Sequence, residues 1–243
     1  MSETAILMAA GMGTRMRPIT MTIPKLLVKV LGKSMIETVI DGLKCRGVNK
    51  FLVVVGYLGD QFGYLKEKYE NLKIVENKDF QTINNISSIK AVADELANTD
   101  SDVFICEADL YVSDSSIFKA QLDHSCYYGR IVKGHSDDWV FEQDENGRII
   151  RVGKVGDNCF NMVGVAWLKK EDARTLGKLI NARYGTEGFE NLFWDDVVNE
   201  NLDKLNLTVH EVFEGQLVEI DTVEELKAID SSYMIPNGYN TAE

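Results

Sequence analysis

The segment Leu7–Lys25 combines glycines and cations at a spacing suited to binding a polyphosphate. It reads LMAAGMGTRMRPITMTIPK and contains Gly11, Gly13, Arg15 and Lys25. Because glycine has no Cβ, the backbone N–H groups of this loop can approach phosphate oxygens closely. The Arg15 guanidinium offers a planar fork for those oxygens, and the Lys25 ammonium offers a compact positive charge. The loop therefore predicts a nucleotide site.

The spacing of this loop also excludes two common phosphate-binding motifs. A Walker loop would carry GK[ST] after its second glycine, whereas this loop carries GTR. A Rossmann GxGxxG would carry its last glycine where Arg15 and Met16 stand. Pro24 fixes the backbone just before Lys25, which helps to aim the lysine side chain.

Two aspartates each follow an apolar run that is typical of a buried strand. Asp109 follows Val103–Cys106, and Asp221 follows Leu217–Ile220. Open α/β sheets bind ligands at the carboxyl ends of their strands. Two carboxylates brought together there could hold Mg²⁺, a hard cation that shares oxygen ligands with substrate phosphates. From the residues alone, the commoner role of each aspartate is a turn residue or a helix cap, and Asp221 suits the N-cap of the last helix.

Polar side chains occur where the chain enters a helix after a strand and a loop. They are Asn84, Asn85 and Ser88. Their amide and hydroxyl groups could read the edge of a pyrimidine. Asn85 is also a good N-cap for a helix over Ile86–Leu96, so both roles remain open.

Aromatic side chains beside acid pairs suggest a site for an organic cation. A quaternary ammonium cannot donate hydrogen bonds and binds to aromatic faces instead, at about 0.5–2 kcal/mol per contact. Trp194 could equally anchor a helix over Phe189–Leu205 in the core. The candidate residues are Tyr111, Trp139, Trp194, Asp195 and Asp196, with Asp137 and Asp138 directly before Trp139.

Composition excludes several other classes of function. The chain has 243 residues with 26 basic and 38 acidic side chains, a formal net charge of −12, which disfavours general nucleic-acid binding. No apolar run approaches the roughly 18 residues that span a bilayer, so no membrane insertion is expected. Four cysteines and three histidines are scattered along the chain, which argues against a zinc site and suits reduced thiols in a cytoplasmic protein.

The first half of the chain alternates apolar strands with helices. This alternation predicts a mostly parallel sheet with right-handed crossovers. Ser34 with Glu37 fits a capping box, as does Thr222 with Glu225. The expected strands are Thr4–Ala9, Phe51–Val55, Leu72–Val75 and Val103–Cys106, and the expected helices are Met35–Leu43, Leu58–Tyr69 and Asn85–Leu96.

After about residue 125 the pattern changes to strands. Glu145-Asn146-Gly147 separates Trp139–Gln143 from Ile149–Gly153 and predicts a β-hairpin. Another strand over Phe160–Leu168 and helices over Glu171–Tyr184 and Phe189–Leu205 follow. We expect one domain over residues 1–243, of the α/β class. Its Rossmann-like mixed sheet, mostly parallel and flanked by helices, is expected over about 1–125 and 206–232, with a small β-hairpin and helical acceptor-binding subdomain over about 126–205.

The loop GMGTRMRPITMTIPK resembles the signature of nucleotidyltransferases that join a nucleoside triphosphate to a phosphorylated small molecule and release diphosphate. Met16 and Ile19 stand where leucine is usual. Within this sugar-phosphate-type superfamily, the whole chain is similar to bacterial CTP:phosphocholine cytidylyltransferases. The matching stretches are VVGYLGDQFGYLKEKY (54–69), NKDFQTINNISSI (77–89), EADLYV (107–112), the Trp139 region, LFWDDVV (192–198) and VEID (218–221).

The resemblance implies that CTP and phosphocholine react to give CDP-choline and diphosphate, with Mg²⁺ held by Asp109 and Asp221. It also makes Arg15 and Lys25 catalytic residues together with these aspartates. It implies small-molecule partners and, as a further partner, a fused or separate choline kinase. The acceptor is expected to meet Tyr111, Trp139, Trp194, Asp195 and Asp196. The nucleotide is expected to meet Ala9, Ala10, Gly11, Met12, Gly13, Thr14, Arg15, Lys25, Asn84, Asn85, Ser88, Glu107 and Ala108.

Two alternatives remain open. The first is the same chemistry on another acceptor, such as a sugar 1-phosphate, phosphoethanolamine or a 2-aminoethylphosphonate-type compound. The second is a nucleotide-binding module without catalytic activity.

Overall fold

The computed structural model describes residues 2–107 and 109–234. Short 3-10 helices connect several of the regular elements. The strands are β1 (Glu3–Ala9), β2 (Lys29–Val30), β3 (Lys33–Ser34), β4 (Lys50–Val55), β5 (Leu72–Glu76), β6 (Asp102–Cys106), β7 (Leu110–Val112), β8 (Cys126–Gln143), β9 (Ile149–Leu168), β10 (Thr208–Glu211) and β11 (Leu217–Glu219). The α-helices are α1 (Met35–Arg46), α2 (Leu65–Lys68), α3 (Ile86–Lys90), α4 (Ala93–Ala97), α5 (Lys170–Arg183), α6 (Trp194–Asn199) and α7 (Val223–Ile229).

A seven-stranded sheet in the order β10-β8-β9-β6-β1-β4-β5 organises the fold. Strands β6, β1, β4 and β5 are mutually parallel, and β9 pairs antiparallel with both β6 and β8. Two small antiparallel ribbons, β7–β11 and β2–β3, lie outside this sheet. The predicted fold class, an α/β mixed and mostly parallel sheet flanked by helices, is confirmed.

The central strands are apolar throughout because both faces of the sheet are covered. In β1, Leu7 belongs to the core cluster that also holds α1, whereas Ile6 and Met8 belong to the cluster on the opposite face. That second cluster includes apolar side chains of α3, α4, α5 and α6. Burial on both faces explains why these strands appear in the sequence as continuous apolar runs rather than as alternating patterns.

The hairpin of β8 and β9 is much longer than the sequence indicated. Strands of 18 and 20 residues replace the three short ones expected. Its proximal part lies in the main sheet, where Cys106 of β6 pairs with Val165 of β9. Its distal part, residues 133–139 and 154–158, is largely exposed. Between these two stretches the chain returns to the sheet, where the Ile149 N–H donates to the carbonyl oxygen of Leu207 at 2.8 Å, just beyond the turn at Gly147. Residues 126–129 and 165–168, which belong to the predicted acceptor-binding subdomain, are therefore also part of the main sheet.

Several expected helices are shorter or broken. The segment 85–96 divides into α3 and α4, and the segment 189–205 holds only α6 and a short 3-10 helix. The capping box at Thr222 is present, with the Glu225 N–H donating to Thr222 Oγ1 at 3.2 Å. The capping box predicted at Ser34 is wrong. The Ser34 side chain makes no cap hydrogen bond, and the Glu37 carboxylate accepts from Lys68 instead.

No helix within residues 2–107 and 109–234 combines the length and the apolar character that crossing a bilayer requires.

Candidate active site

A cleft of about 510 Å³ opens at the carboxyl ends of β1 and β6. These two strands are neighbours and parallel, and the chain leaves them toward opposite edges of the sheet. At such a topological switch point the loops diverge and leave a crevice. The loop after β1 forms one wall, the loop after β6 forms the floor, and the distal part of the β8–β9 hairpin forms the facing wall.

Gly13 shapes the wall that carries the cations. It has a φ of +58°, a left-handed conformation that favours glycine. A Cβ at this position would lie 2.9 Å from Cβ of Lys25 and 3.1 Å from Cγ2 of Thr20. The Thr20 hydroxyl also donates to the carbonyl oxygen of Gly13 at 2.7 Å. The loop is thus folded back on itself, which holds the Lys25 side chain at the cleft.

The ribbon of β7 and β11 brings the two aspartates together. Glu219 pairs with Leu110, and beyond that pair the N–H of Ile220 donates to the carbonyl oxygen of Asp109 at 2.9 Å. Residues 112 positions apart in the chain are thereby aligned at one end of a two-stranded ribbon. Asp221 follows directly and begins the turn into α7, where the Glu225 carboxylate accepts from its N–H at 2.7 Å.

Lys25 lies between the two aspartates. Its Nζ is 2.6 Å from Oδ1 of Asp221 and 3.1 Å from Oδ2 of Asp109. Burial alone would lower the pKa of Lys25, but the carboxylates of Asp109 and Asp221 raise it above the usual value. Burial alone would raise the pKa of Asp221, and the contact with Lys25 lowers it below its usual value. Arg15 adds a more exposed ion pair to Asp221, at 2.7 Å.

Glu219 completes a cluster of three carboxylates. One oxygen each of Asp109, Glu219 and Asp221 lies within 4.8 Å of the others. Partial removal from water in the cleft and the charges of Asp109 and Asp221 raise the pKa of Glu219 to about 8. On the floor behind them, burial and then the charge of Asp109 raise the pKa of Glu107 well above its usual range.

This cluster has the donor set of a divalent cation site. Oxygen ligands from carboxylates suit Mg²⁺. Oδ1 of Asp109 is buried and has no hydrogen-bond partner among the described residues, so it is available as a ligand. A bound dication would also relieve the mutual repulsion that raises the pKa of Glu219. The residues present therefore fit a magnesium ion.

A segment after α5 is hydrogen-bonded to the polar residues at the start of α3. The Asn84 N–H donates to the carbonyl oxygen of Glu190, and its side-chain amide donates to that of Asn191. Oδ1 of Asn85 accepts from the N–H of Trp194 at 2.9 Å. These contacts occupy Asn84 and the carbonyl end of Asn85. The Asn85 amide nitrogen and the Ser88 hydroxyl remain at the cleft wall.

On the hairpin side, two aromatic rings face a lysine. The Trp139 and Phe193 rings are 5.3 Å apart in an edge-to-face arrangement. The Nζ of Lys154 lies 5.7 Å from the centroid of Trp139 and 5.2 Å from that of Phe193. Lys154 reaches this position because it lies opposite Trp139 in the β8–β9 pairing. The aromatic pair thus already contacts an ammonium group of the protein.

Most of the predicted site residues lie around the cleft, and several do not. Ala9 is buried in β1, Met12 is exposed and does not line the cleft, and Ala108 lies outside the described residues. Asn84 is held by the 190–194 segment. The predicted residues that line the cleft are Ala10, Gly11, Gly13, Thr14, Arg15, Lys25, Asn85, Ser88, Glu107, Asp109, Trp139 and Asp221.

The other residues that were expected to bind the acceptor substrate lie away from the cleft, either buried in the core or packed at its edge. Trp194 is 2% exposed and stacks on Tyr127 with the ring centroids 5.5 Å apart. Asp195 is 1% exposed and accepts from the Tyr127 hydroxyl, and burial raises the pKa of Asp195 to about 7. Asp196 accepts from the N–H of Phe193 at the start of α6. Tyr111 packs against the small core cluster beneath α7.

Sequence reasoning did not single out Glu219, Lys154 or Phe193, although all three line the cleft. Glu219 lies two residues before Asp221, and the period of two in a strand places both on one face. Phe193 and Trp194 are adjacent aromatic residues, and the sequence does not show which of them lines the cleft. No signal in the sequence identified Lys154, because its position depends on the register of the hairpin.

Comparison with known proteins agrees with this geometry. A family model described as nucleotidyl transferase matches residues 4–132. The chain is 48% identical over 230 residues to a 2-aminoethylphosphonate cytidylyltransferase of Lancefieldella rimae, covering 95% of this chain and 93% of the relative. It is 33% identical over 228 residues to a choline-phosphate cytidylyltransferase of Streptococcus pneumoniae, covering 93% of this chain and 96% of the relative.

A solved structure of a CTP:phosphocholine cytidylyltransferase from Streptococcus pneumoniae superposes with a TM-score of 0.85 at 31% identity, covering 96% of this chain and 99% of that one. The chain belongs to the nucleotidyl transferase family. The expectation of a nucleotidyltransferase drawn from the signature loop is thereby confirmed.

Proposed function

We propose that this protein is a cytidylyltransferase that joins CTP to 2-aminoethylphosphonate and releases diphosphate. The relative at 48% identity carries that activity in its name, whereas the choline-phosphate enzyme is 33% identical. The observation that carries the choice of acceptor is the position of Lys154 over Trp139 and Phe193. A trimethylammonium group would need those ring faces, and here a cation of the protein contacts them.

The reaction is an in-line displacement at the α-phosphorus of CTP. A phosphonate oxygen forms a new bond to that phosphorus, and the bond to the bridging oxygen of the β-phosphate breaks, so that diphosphate leaves. The acceptor is already an anion at neutral pH, so no general base is required. Catalysis then rests on positioning the reactants and on neutralising their charge.

The cations of the loop after β1 supply that neutralisation. Lys25 remains protonated at neutral pH because two carboxylates raise its pKa. Its Nζ and the Arg15 guanidinium can transfer their contacts from the aspartates to the phosphates, where negative charge develops on the leaving group. Backbone N–H groups of the glycine loop are expected to hold the triphosphate.

The pyrimidine is expected to lie against the start of α3. Cytosine presents two acceptors, its ring nitrogen N3 and its carbonyl oxygen, on its Watson–Crick edge. The Asn85 amide nitrogen and the Ser88 hydroxyl are donors on the cleft wall. Since Oδ1 of Asn85 is held by Trp194, its amide is oriented with the nitrogen free to donate.

Asp109 and Asp221, with Glu219 as a third ligand, would hold Mg²⁺. When bound, the ion would supply neutralisation of the negative charge on the reacting groups. The protein's own contribution is to hold these oxygens in place through the β7–β11 ribbon.

Phosphocholine is the second candidate acceptor, because Trp139 and Phe193 form an edge-to-face pair at the cleft. Movement of Lys154 away from the rings would expose them to a quaternary ammonium.

The test is an acceptor panel with CTP and Mg²⁺, in which released diphosphate is measured and the product is identified by phosphorus NMR. We expect the highest kcat/KM with 2-aminoethylphosphonate. No release above that of Lys25→Ala would contradict the proposal, and a higher kcat/KM with phosphocholine would reverse the choice of acceptor.

Lys154→Met tests the observation on which that choice rests. We expect the kcat/KM for phosphocholine to rise about 2- to 30-fold, the range that corresponds to a cation–π contact of about 0.5–2 kcal/mol. Lys133→Met is the matched control, because Lys133 is an exposed lysine of the same hairpin that does not line the cleft.

A further inference from the structure

A second cavity of about 410 Å³ adjoins the cleft. It lies between the β8–β9 hairpin and β11, and the two spaces share Arg15, Trp139 and Asp221 among their walls. A molecule reacting near Asp221 could therefore extend from the first space into the second. The notable side chain in this second cavity is Asn161, on β9.

Asn161 is 8% exposed, and its Oδ1 has no hydrogen-bond partner among the described residues. Its amide nitrogen donates to the Ser136 hydroxyl oxygen at 2.7 Å, and the N–H of Asp138 donates to that same oxygen at 3.3 Å. The Ser136 oxygen thus already accepts two hydrogen bonds. In this arrangement the amide nitrogen faces Ser136 and the carbonyl oxygen is an unused acceptor.

The cavity that contains the Asn161 oxygen is lined by both positively and negatively charged side chains. Asp138 and Glu219 line the cavity with carboxylates, and Arg15 and Arg130 line it with guanidinium groups. Arg130 lies opposite Asn161 in the hairpin, so both side chains are on one face. A cavity with both charges and a neutral buried acceptor suits a small zwitterion. Arg15 lies at the junction with the cleft, where the anionic end must be placed to react.

We propose that Asn161 determines the specificity for the amine end of the acceptor, by accepting a hydrogen bond from a primary ammonium. This inference rests on the proposed function and deepens it. A primary ammonium has three N–H donors, and Asn161 Oδ1 and the carboxylate of Asp138 can accept from them. Oδ1 of Asn161, which has no hydrogen-bond partner within residues 2–107 and 109–234, then gains one.

The same arrangement discriminates against a quaternary ammonium. Three methyl groups carry no donor, so they would cover the Asn161 oxygen without pairing it. A site built to hydrogen-bond its substrate rejects an analogue that lacks the donor, because the buried group is left unsatisfied.

The experiment compares wild type with Asn161→Leu and Asn161→Asp. Initial rates are measured with 2-aminoethylphosphonate, phosphoethanolamine and phosphocholine, and the KM for CTP is measured alongside. For Asn161→Leu we expect the KM of both primary amines to rise at least tenfold, the KM for phosphocholine to fall because no acceptor is left unpaired, and the KM for CTP to stay unchanged. Asn161→Asp keeps an acceptor oxygen and should restore the KM of the primary amines to within a few fold.

An equal loss with all three acceptors, or unchanged values for the primary amines, would overturn the role of Asn161. If Asn161→Leu does not fold, Asn161→Asp and Ser136→Ala decide the matter. Ser136→Ala frees the amide to rotate and should raise the KM of the primary amines alone.

Failure of the proposed function has a different outcome, in which wild type itself does not use 2-aminoethylphosphonate. The effect of Asn161→Leu on phosphoethanolamine still tests Asn161 in that case. Wild type that uses neither primary amine overturns both proposals.

Discussion

The ammonium of Lys25 lies 2.6 Å from Oδ1 of Asp221, so a cation of the protein is paired with a carboxylate proposed to bind a metal ion. The same ammonium reaches Oδ2 of Asp109 at 3.1 Å. Lys25 and a divalent ion would therefore compete for the same oxygens. A triphosphate offers Lys25 other anionic partners, which would leave the carboxylates to the metal.

Replacement of Lys25 by methionine should show separately how Lys25 contributes to catalysis and how it competes with metal binding. The kcat should fall about 10²- to 10³-fold, since a group that stabilises developing charge is lost. Without nucleotide, Mn²⁺ should bind about tenfold more tightly, because a competing charge a few ångströms from the ligands is removed. Diphosphate release and electron paramagnetic resonance of free Mn²⁺ measure the two effects.

Arg15→Met is the matched control for the metal measurement. Arg15 also pairs with Asp221, but its side chain is 67% exposed, so its ion pair is expected to contribute at most about 1 kcal/mol. A change in Mn²⁺ affinity for Arg15→Met equal to that for Lys25→Met would contradict the competition.

Alanine at Gly13 and at Gly11 should have different effects on folding. Gly13→Ala places a side chain at positive φ and 2.9 Å from Cβ of Lys25, which should cost about 1–3 kcal/mol of unfolding free energy and displace the lysine. Gly11→Ala meets no atom within 4 Å, so stability should change by less than about 0.5 kcal/mol. Denaturant titration checks both values.

The Gly11→Ala variant should still bind CTP less well, because its methyl group would project into space at the cleft wall that the nucleotide needs. A KM for CTP equal to that of wild type would show that the nucleotide does not approach this part of the loop.

The pKa of Glu219 predicts how stability varies with pH in metal-free protein. Its folded-state pKa of about 8 exceeds the unfolded value of 4.5. The unfolded chain therefore releases this proton first, and stability should decrease as pH rises from about 4.5 to about 8. In Glu219→Gln the decrease in Tm across this range should be smaller, although Asp195, with a pKa of about 7, still contributes. Thermal unfolding in chelator, from pH 4.5 to pH 8.5, measures it. A decrease in Tm equal to that of wild type would contradict the assignment.

Alanine substitution of Trp194 should mainly lower stability, whereas alanine substitution of Trp139 should mainly change the KM for the acceptor. Trp194→Ala removes a buried ring stacked on Tyr127 and should lower the unfolding free energy by about 3–5 kcal/mol, with the acceptor KM preserved in the folded protein. Trp139→Ala removes a half-buried ring at the cleft and should change the acceptor KM with a smaller loss of stability. Acceptor KM values that change only in Trp194→Ala would contradict this placement.

The residues of the loop after β1 and the two aspartates could be predicted from the sequence, because they belong to a short motif or follow the ends of strands. Gly13 and Lys25 belong to the short motif Leu7–Lys25. The two aspartates follow apolar strands, and open sheets bind ligands at the carboxyl ends of their strands. The distal hairpin gave a weaker signal, since residues 131–138 are largely exposed and bulges interrupt the alternation of polar and apolar residues. Lys154 meets Trp139 only through the pairing register, which no local pattern specifies.

The β8–β9 hairpin begins as part of the main sheet and, farther along, forms one wall of the cleft. Residues near Val165 are fixed by core packing, whereas Trp139, Lys154 and Asn161 of the same two strands face the cleft or the adjoining cavity. The exposed side chains of the distal part can be replaced with little loss of core packing. A single scaffold can thus acquire new acceptors over evolution by altering a handful of positions along one hairpin, while the chemistry on the nucleotide is inherited intact.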